Sequence, residues 1–302
     1  MPSSVLAIVG PTASGKSKLG LDLARELGNL EIINADAMQL YRGMDIGTAK
    51  LSEQERQGVK HHLIDAVTID QELTAVQYAD LVGQLFSEIQ LRGAVPTLVG
   101  GSMFYLASAL NEMDFAPTDP IVRARLETEA ESLGALTLHR RLSELDPASA
   151  SQIPAQNSRR VVRALEVIEI TGGPYNATLP EPVYRVPTIQ LGILVNREIL
   201  RARIRNRVEQ MWEQGILGEV QRLLDSGLVF SKTARMAIGY SQAMGQIEGR
   251  LSEKQAIEQT INLTNRYARR QMSWFRRDKR ITWLDSEENL TEQALERIRL
   301  GG

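Results

Sequence analysis

Between the apolar run Val5-Leu-Ala-Ile-Val9 and a helical pattern that starts at Lys16, the chain carries Gly10-Pro-Thr-Ala-Ser-Gly-Lys-Ser17. The spacing is G-x-x-x-x-G-K-[ST], and a strand before it with a helix after it is the setting in which such a segment cradles phosphate. Glycines let backbone amides turn toward anionic oxygens, and the helix N-terminus adds its positive end. Lys16 contributes a point charge, and the Ser17 hydroxyl is suited to ligate Mg2+ beside phosphate oxygens. Gly10, Pro11, Thr12, Ala13, Ser14, Gly15, Lys16 and Ser17 are therefore the candidate phosphate-binding residues, with Ser17 the candidate metal ligand. A strand end, a tight loop and a helix start at one point commit the chain to an α/β sheet of largely parallel strands.

The rest of the chain agrees. Leu19, Leu23 and Leu27 share one face of a helix over 16–27 that Gly28 closes. A second strand over 31–34 ends at Ala35-Asp36, and the apolar stretch His62 to Val67 suggests a third. Thr74 caps a helix whose apolar stripe reads Tyr78, Leu81, Leu85 and Ile89, and Val95 to Val99 runs as a strand into Gly100-Gly101-Ser102. From about Asp114 the strands vanish. Asp119-Pro120 supplies an N-cap and a first-turn proline, and helices are expected over 120–133, 136–145 and 158–170, before the breaker Thr171-Gly-Gly-Pro174. The proline-spaced segment Thr178 to Pro187 reads as an extended return. A strand over 189–195, further helices and a short strand over 281–284 complete a P-loop core of parallel strands with an all-helical insertion. The expected division is 1–116, the insert 117–187, and 188–302.

Composition narrows the function classes. With no cysteine there is neither a disulfide framework nor a thiolate metal site, and His61, His62 and His139, the only histidines, make a poor zinc set. His61 and His62 read as loop residues. The run Val5 to Val9 is too short for a signal peptide or membrane span, so the cytoplasm is the expected location, with no membrane partner. Net charge is −2, yet residues 266–280 hold seven basic side chains against one acidic, so a basic surface coexists with a neutral total.

A P-loop does not by itself name its substrate. A usual NTPase places a carboxylate after an apolar strand, whereas Val95 to Val99 leads into Gly-Gly-Ser, which argues against a motor or switch. Asp36 and Ser102 follow strands whose carboxyl ends lie at the phosphate-loop edge of a parallel sheet. A carboxylate there can take a proton from a nucleophile that a neighbouring hydroxyl orients. It can equally serve as a magnesium ligand or a helix cap.

The segment Ile32-Ile-Asn-Ala-Asp-Ala-Met-Gln-Leu-Tyr-Arg-Gly-Met-Asp-Ile-Gly-Thr-Ala-Lys50 resembles the tRNA dimethylallyltransferases. So, in the same order, do the phosphate loop, Val99-Gly-Gly-Ser-Met-Phe-Tyr105, Arg163-Ala-Leu-Glu166, Ala237-Ile-Gly-Tyr240, and Arg269-Arg-Gln271 with Trp274-Phe-Arg276. The likeness runs from about Ala7 to Asp285. It implies transfer of a dimethylallyl group from dimethylallyl diphosphate to N6 of the adenosine just 3′ of the anticodon, in tRNAs reading codons that begin with U. By the same resemblance Asp36 is the general base and Ser102, where the family usually has threonine, is its catalytic companion. Arg207 joins the phosphate loop and Mg2+ in holding the diphosphate. The resemblance further implies contacts to the tRNA anticodon stem-loop at Asp36, Ala37, Met38, Gln39, Arg123, Arg159, Arg160, Val161, Val162 and Arg163, in a protein expected to act as a monomer. Two positions depart from the family pattern: Ala37 replaces the usual serine, and Met236 replaces Gln or Arg.

On the residues alone, Arg159, Arg160 and Arg163 share a helix face suited to RNA phosphates and unpaired bases. Arg197, Arg201 and Arg205 form a second stripe, with Arg203 and Arg207 nearer the apolar side of the same helix. A C-terminal helix sets Ile257, Ile261, Thr264, Ala268 and Phe275 on one stripe and Arg266, Arg269, Arg270, Arg276 and Arg277 elsewhere. A prenyltransferase acting on free adenine nucleotides, a nucleotide kinase and a non-catalytic P-loop RNA binder are the rival readings.

Overall fold

In the computed structural model, which describes residues 4–175, 181–231 and 233–300, the first apolar run becomes β1 (Val5–Val9), buried throughout. Gly15, left-handed at φ 96°, starts α1 (Lys16–Leu27), and Gly28 at φ 73° ends it by donating its amide to the Ala24 carbonyl. Then come β2 (Leu30–Ala35), β3 (His61–His62), α2 (Ala75–Leu91), β4 (Val95–Gly100) and α3 (Met103–Leu110). Thr74 and Gln77 cap α2 reciprocally, each side chain satisfying the other residue's backbone amide.

The chain divides into two units, one of 1–111 with 184–302 and one of 112–183. The expected insert, 117–187, differs at both ends. Tyr184 bridges antiparallel to Asn111 and the Arg185 amide donates to the Leu110 carbonyl, so the return segment joins the larger unit from residue 184. Residues 178–180 of that segment lie outside the described residues.

The smaller unit is helical: α4 (Pro120–Leu133), α5 (Ala135–Leu145), α6 (Pro147–Gln152) and α7 (Ser158–Thr171). Asp119 caps α4 through the Ile121 and Val122 amides, and Leu126, Leu138, Leu142, Ile153, Val161 and Leu165 form its core. The larger unit resumes with β5 (Thr188–Leu194), α8 (Arg197–Glu213), α9 (Ile216–Asp225), α10 (Tyr240–Ile247), α11 (Glu253–Phe275), β6 (Thr282–Asp285) and α12 (Leu290–Leu300).

All six strands pair in parallel, in the order β3-β2-β4-β1-β5-β6. Alternate residues of β1 go to opposite faces: Val5, Ala7 and Val9 pack with α2 and α3, and Leu6 and Ile8 with α1 and α12. No helix among the described residues is long and apolar enough to cross a membrane.

Three expectations need correction. The buried stripe of α2 is Tyr78, Val82, Phe86 and Ile89, and Leu81 is exposed; apolar residues crowd both sides of this helix, so periodicity alone could not choose the face. Leu27 likewise faces outward at the end of α1. The third strand is shorter and earlier than expected: His61 and His62 pair with Ile32 and Ile33, while Leu63 and Asp65 adopt positive φ, which ends the strand. The two histidines are thus strand residues, not loop residues.

Candidate active site

Register brings the site together. Ala35 of β2, Gly100 of β4 and Val9 of β1 stand abreast, so the residues that follow them, Asp36, Gly101 and Gly10, emerge at one edge of the sheet. The approach is close enough that a Cβ at Gly100 would sit 2.1 Å from the Ala35 carbonyl oxygen, which excludes any side chain there.

Asp36 is held by its own neighbourhood. Its amide donates to Asn34 Oδ1 (2.9 Å), Asn34 Nδ2 donates to the carbonyls of Asp36 (3.0 Å) and Leu63 (2.9 Å), and the Met38 amide donates to Asp36 Oδ1 (3.0 Å). Asn34 is in turn fixed from the core by the buried Tyr78 hydroxyl, which donates to the Asn34 carbonyl at 2.8 Å. Ser102 Oγ accepts from the Ala37 amide at 2.8 Å, and the Ser102 amide donates to the Ala35 carbonyl at 3.0 Å. The β2 and β4 ends are thus tied to each other where both candidate catalytic side chains stand.

The phosphate loop carries the charge. Lys16 Nζ donates back to the Pro11 carbonyl (2.6 Å). Burial pulls its pKa down to about 8, the Asp36 carboxylate opposing and the Arg207 cation adding to that shift. Arg207 comes from α8, where its neighbours Ile204, Val208 and Met211 are buried. Its Nη1 donates to Thr12 Oγ1 (2.9 Å) and its Nη2 to the Thr48 carbonyl (2.9 Å). Burial lowers its pKa too, with Asp36 working the other way. Neither Lys16 nor Arg207 forms an ion pair among the described residues, and two buried polar atoms beside them, Ser14 Oγ and Arg207 Nε, have no partner. Two partly buried cations that share one nearby carboxylate, Asp36, leave positive charge that an anion can complete. Gly10 to Ser17, Arg207, Asp36 and Ser102 thus converge, and Ser17 stands exposed at the first turn of α1.

Two members were not singled out as site residues from the sequence, although Gln271 stands in the block Arg269-Arg-Gln271 that resembles the family. Gln271 of α11, 2% exposed, accepts from the Thr12 amide (2.9 Å) and donates to the Gly101 carbonyl (2.8 Å), joining the phosphate loop to the turn before Ser102. Tyr267 lies one helical turn earlier beside Ser102, and its pKa rises to about 12 through burial and the nearby Asp36 charge. The spacing of four between them was the available signal, obscured by the arginines around them.

The smaller unit gives its expected contact residues different surroundings. Arg159 and Arg160 are exposed on α7. Arg123 and Arg163 instead grip the buried Glu166, at 2.5 and 2.7 Å, and Arg163 also donates to the Ala116 and Pro117 carbonyls. Burial alone would raise the Glu166 pKa, but these arginines and the Asp119 amide hold it below the usual carboxylate value. Val161 and Val162 belong to the core of this unit and present no side chain to a partner. In the larger unit Arg205 pairs with Glu258 (2.9 Å), while Arg266, Arg269 and Arg270 line a shallow surface groove with Leu263 and Ser273. Met236 is exposed, and Ala37 contributes its amide to Ser102. Among the described residues no group of His, Asp or Glu is arranged to hold a metal by itself.

Comparison with known proteins gives a consistent result. A family model described as IPP transferase matches residues 39–278. The tRNA dimethylallyltransferase of Thermobifida fusca is 51% identical over 286 residues, 93% of this chain and 90% of that protein. The one from a Nocardioides species is 48% identical over 293 residues, 96% and 94% of the two chains. Among solved structures, the full-length tRNA isopentenylpyrophosphate transferase of Bacillus halodurans superimposes with a TM-score of 0.72 at 37% identity, over 99% of this chain and 96% of that one. A eukaryotic dimethylallyltransferase acting on tRNA gives 0.80 at 26% identity, over 97% and 77%.

Proposed function

This chain belongs to the IPP transferase family, the tRNA dimethylallyltransferases, and we propose that it moves the dimethylallyl group of dimethylallyl diphosphate onto N6 of the adenosine 3′-adjacent to the anticodon. The observation that carries this reading is the pair of partly buried cations, Lys16 and Arg207, which form no ion pair among the described residues and stand at the same sheet edge as Asp36 and Ser102. A diphosphate answers the first half of that arrangement and a weakly acidic amine the second.

In the proposed step the bond between the prenyl C1 and its oxygen breaks, and the electron pair leaves with the diphosphate. The N6–C1 bond forms, and the amine proton passes to the Asp36 carboxylate. Ser102 hydrogen-bonds the adenine edge, and Lys16, Arg207 and the loop amides stabilise the charge that grows on the leaving group. The exposed Ser17 hydroxyl beside the phosphate loop suits Mg2+, an ion that keeps several waters and binds through substrate phosphates. When bound, Mg2+ supplies further neutralisation of the diphosphate.

The anticodon loop offers the adenosine at low cost, since unstacking a base already in a single strand takes only a few kcal/mol, roughly. Arg159 and Arg160 on the smaller unit, and Arg266, Arg269 and Arg270 on the larger, are the basic side chains proposed to meet RNA phosphates. The protein is proposed to work as a monomer in the cytoplasm on tRNAs reading codons that begin with U.

The test is incubation with Mg2+, dimethylallyl diphosphate and unmodified tRNA, followed by mass spectrometry of the digested nucleosides. N6-dimethylallyladenosine from tRNA and none from adenosine monophosphate is the expected result. Product on the free nucleotide alone would move the assignment to nucleotide prenylation, and product on neither would refute it.

A further inference from the structure

Glu219 of α9 is a carboxylate, 3% exposed, that pairs with no cation among the described residues. Its Oε2 accepts the amides of Asp45 (3.1 Å) and Ile46 (2.8 Å), and its Oε1 accepts the Gly47 amide (3.3 Å) and the Tyr240 hydroxyl (2.6 Å). Three consecutive backbone amides turned onto one buried charge fix the conformation of the loop they belong to. Tyr240 closes that loop from the other side, so tightly that a Cβ at Gly47 would lie 2.3 Å from its ring. The next carbonyl, that of Thr48, accepts Arg207 Nη2 at 2.9 Å and Gln39 Nε2 at 3.1 Å.

We infer that Glu219 is a positioning residue for the leaving group: it holds residues 45–47 so that the Thr48 carbonyl docks Arg207 with its guanidinium across the phosphate loop. Among the described residues Arg207 has two anchors, Thr12 Oγ1 and this carbonyl. A displaced Thr48 therefore frees half of the guanidinium, and an unanchored arginine binds an anion less well because its rotamer freedom is lost on binding. This inference rests on the proposed role of Arg207 toward diphosphate.

The experiment is a double-mutant cycle on the affinity for inorganic diphosphate in the presence of Mg2+, measured by titration calorimetry on the wild type, Glu219→Gln, Arg207→Lys and the double variant. Glutamine keeps one acceptor oxygen but sets an NH2 against backbone donors. Glu219→Gln is expected to weaken diphosphate about tenfold, or about 1.4 kcal/mol. In the Arg207→Lys background its effect is expected to fall below about twofold, a coupling that only contact through Arg207 produces. Tyr240→Phe, which removes one of the four hydrogen bonds and keeps the ring, repeats the cycle on a milder scale should Glu219→Gln fail to fold. An equal loss in both backgrounds would make Glu219 merely structural and overturn the inference while leaving the function assignment standing. Unchanged affinity in Arg207→Lys alone would remove the diphosphate role of Arg207 and the inference with it.

Discussion

Replacing Gln271 with leucine tests the assembly of the site more sharply than removing any charged group. The side chain is buried and spans 259 residues of sequence to reach the Thr12 amide and 170 to reach the Gly101 carbonyl. Leucine occupies nearly the same volume, so little cavity or overpacking cost arises. What changes is polar pairing. The Gly101 carbonyl, buried, loses its partner at a cost of about 1–3 kcal/mol, and the partly exposed Thr12 amide, which water can reach, loses nearer about 1 kcal/mol. Together they predict a loss of about 2–4 kcal/mol in a denaturant titration with an unchanged m-value. The same change releases Thr12, one of the two anchors of Arg207, so diphosphate affinity should fall about tenfold as a pre-organised loop becomes one that must be ordered on binding. A stability loss below about 0.5 kcal/mol with diphosphate affinity intact would refute the view that Gln271 couples the two loops.

Further outcomes are expected from the same geometry. Asp36→Ala should lower single-turnover transfer by roughly two to four decades, the range of a lost general base, with diphosphate affinity nearly unchanged; loss of affinity instead would make Asp36 a ligand of the metal or a structural cap. Lys16, whose pKa burial lowers to about 8, is protonated in the unfolded chain but neutral in the folded one between that value and its ordinary 10.5, so stability from this group rises with pH across that window. Diphosphate binding should do the reverse, weakening as pH rises through about 8 and taking up a proton there, by calorimetry in buffers of different ionisation heat. Lys16→Arg, charged throughout, should lose the uptake in excess of that due to diphosphate itself. For tRNA, log affinity should fall linearly with log salt, and Arg266→Ala or Arg269→Ala should each reduce the slope by about 0.7–0.9; an unchanged slope would remove those arginines from the RNA surface.

Much of the fold was legible because its signals are local. The phosphate loop, the helix start after Gly15, the glycine stop at Gly28, the Thr74 cap and the Asp119-Pro120 helix start each depend on a few adjacent residues, and each occurs where those residues predict it. The alternation of strand and helix then suffices for a parallel sheet, and ordered blocks from the phosphate loop to α11 carried the family resemblance. Local patterns were weaker where a helix is apolar on several sides, as in α2, or where positive φ at Leu63 and Asp65 cuts a strand short. On α7 spacing placed Arg159, Arg160 and Arg163 on one face and the resemblance added Val161 and Val162 as contacts, yet both valines turn into the core and Arg163 turns onto Glu166.

By itself, then, the sequence determined the strand-loop-helix unit and the class of fold, because those rest on neighbours in the chain, while Asp36 became the candidate base only through the family resemblance. Only the tertiary structure decided how the charges are anchored. Arg207 reaches Thr12 across 195 residues and Thr48 across 159, and Glu219 reaches the loop before Thr48 across 172 to 174. Such pairings follow from strand order and helix docking, which no spacing along the chain encodes. The partly buried cations are held by two carbonyls and a hydroxyl, with one glutamine steadying the loop that carries that hydroxyl, and the meaning of these groups appears only when the strand ends are brought abreast.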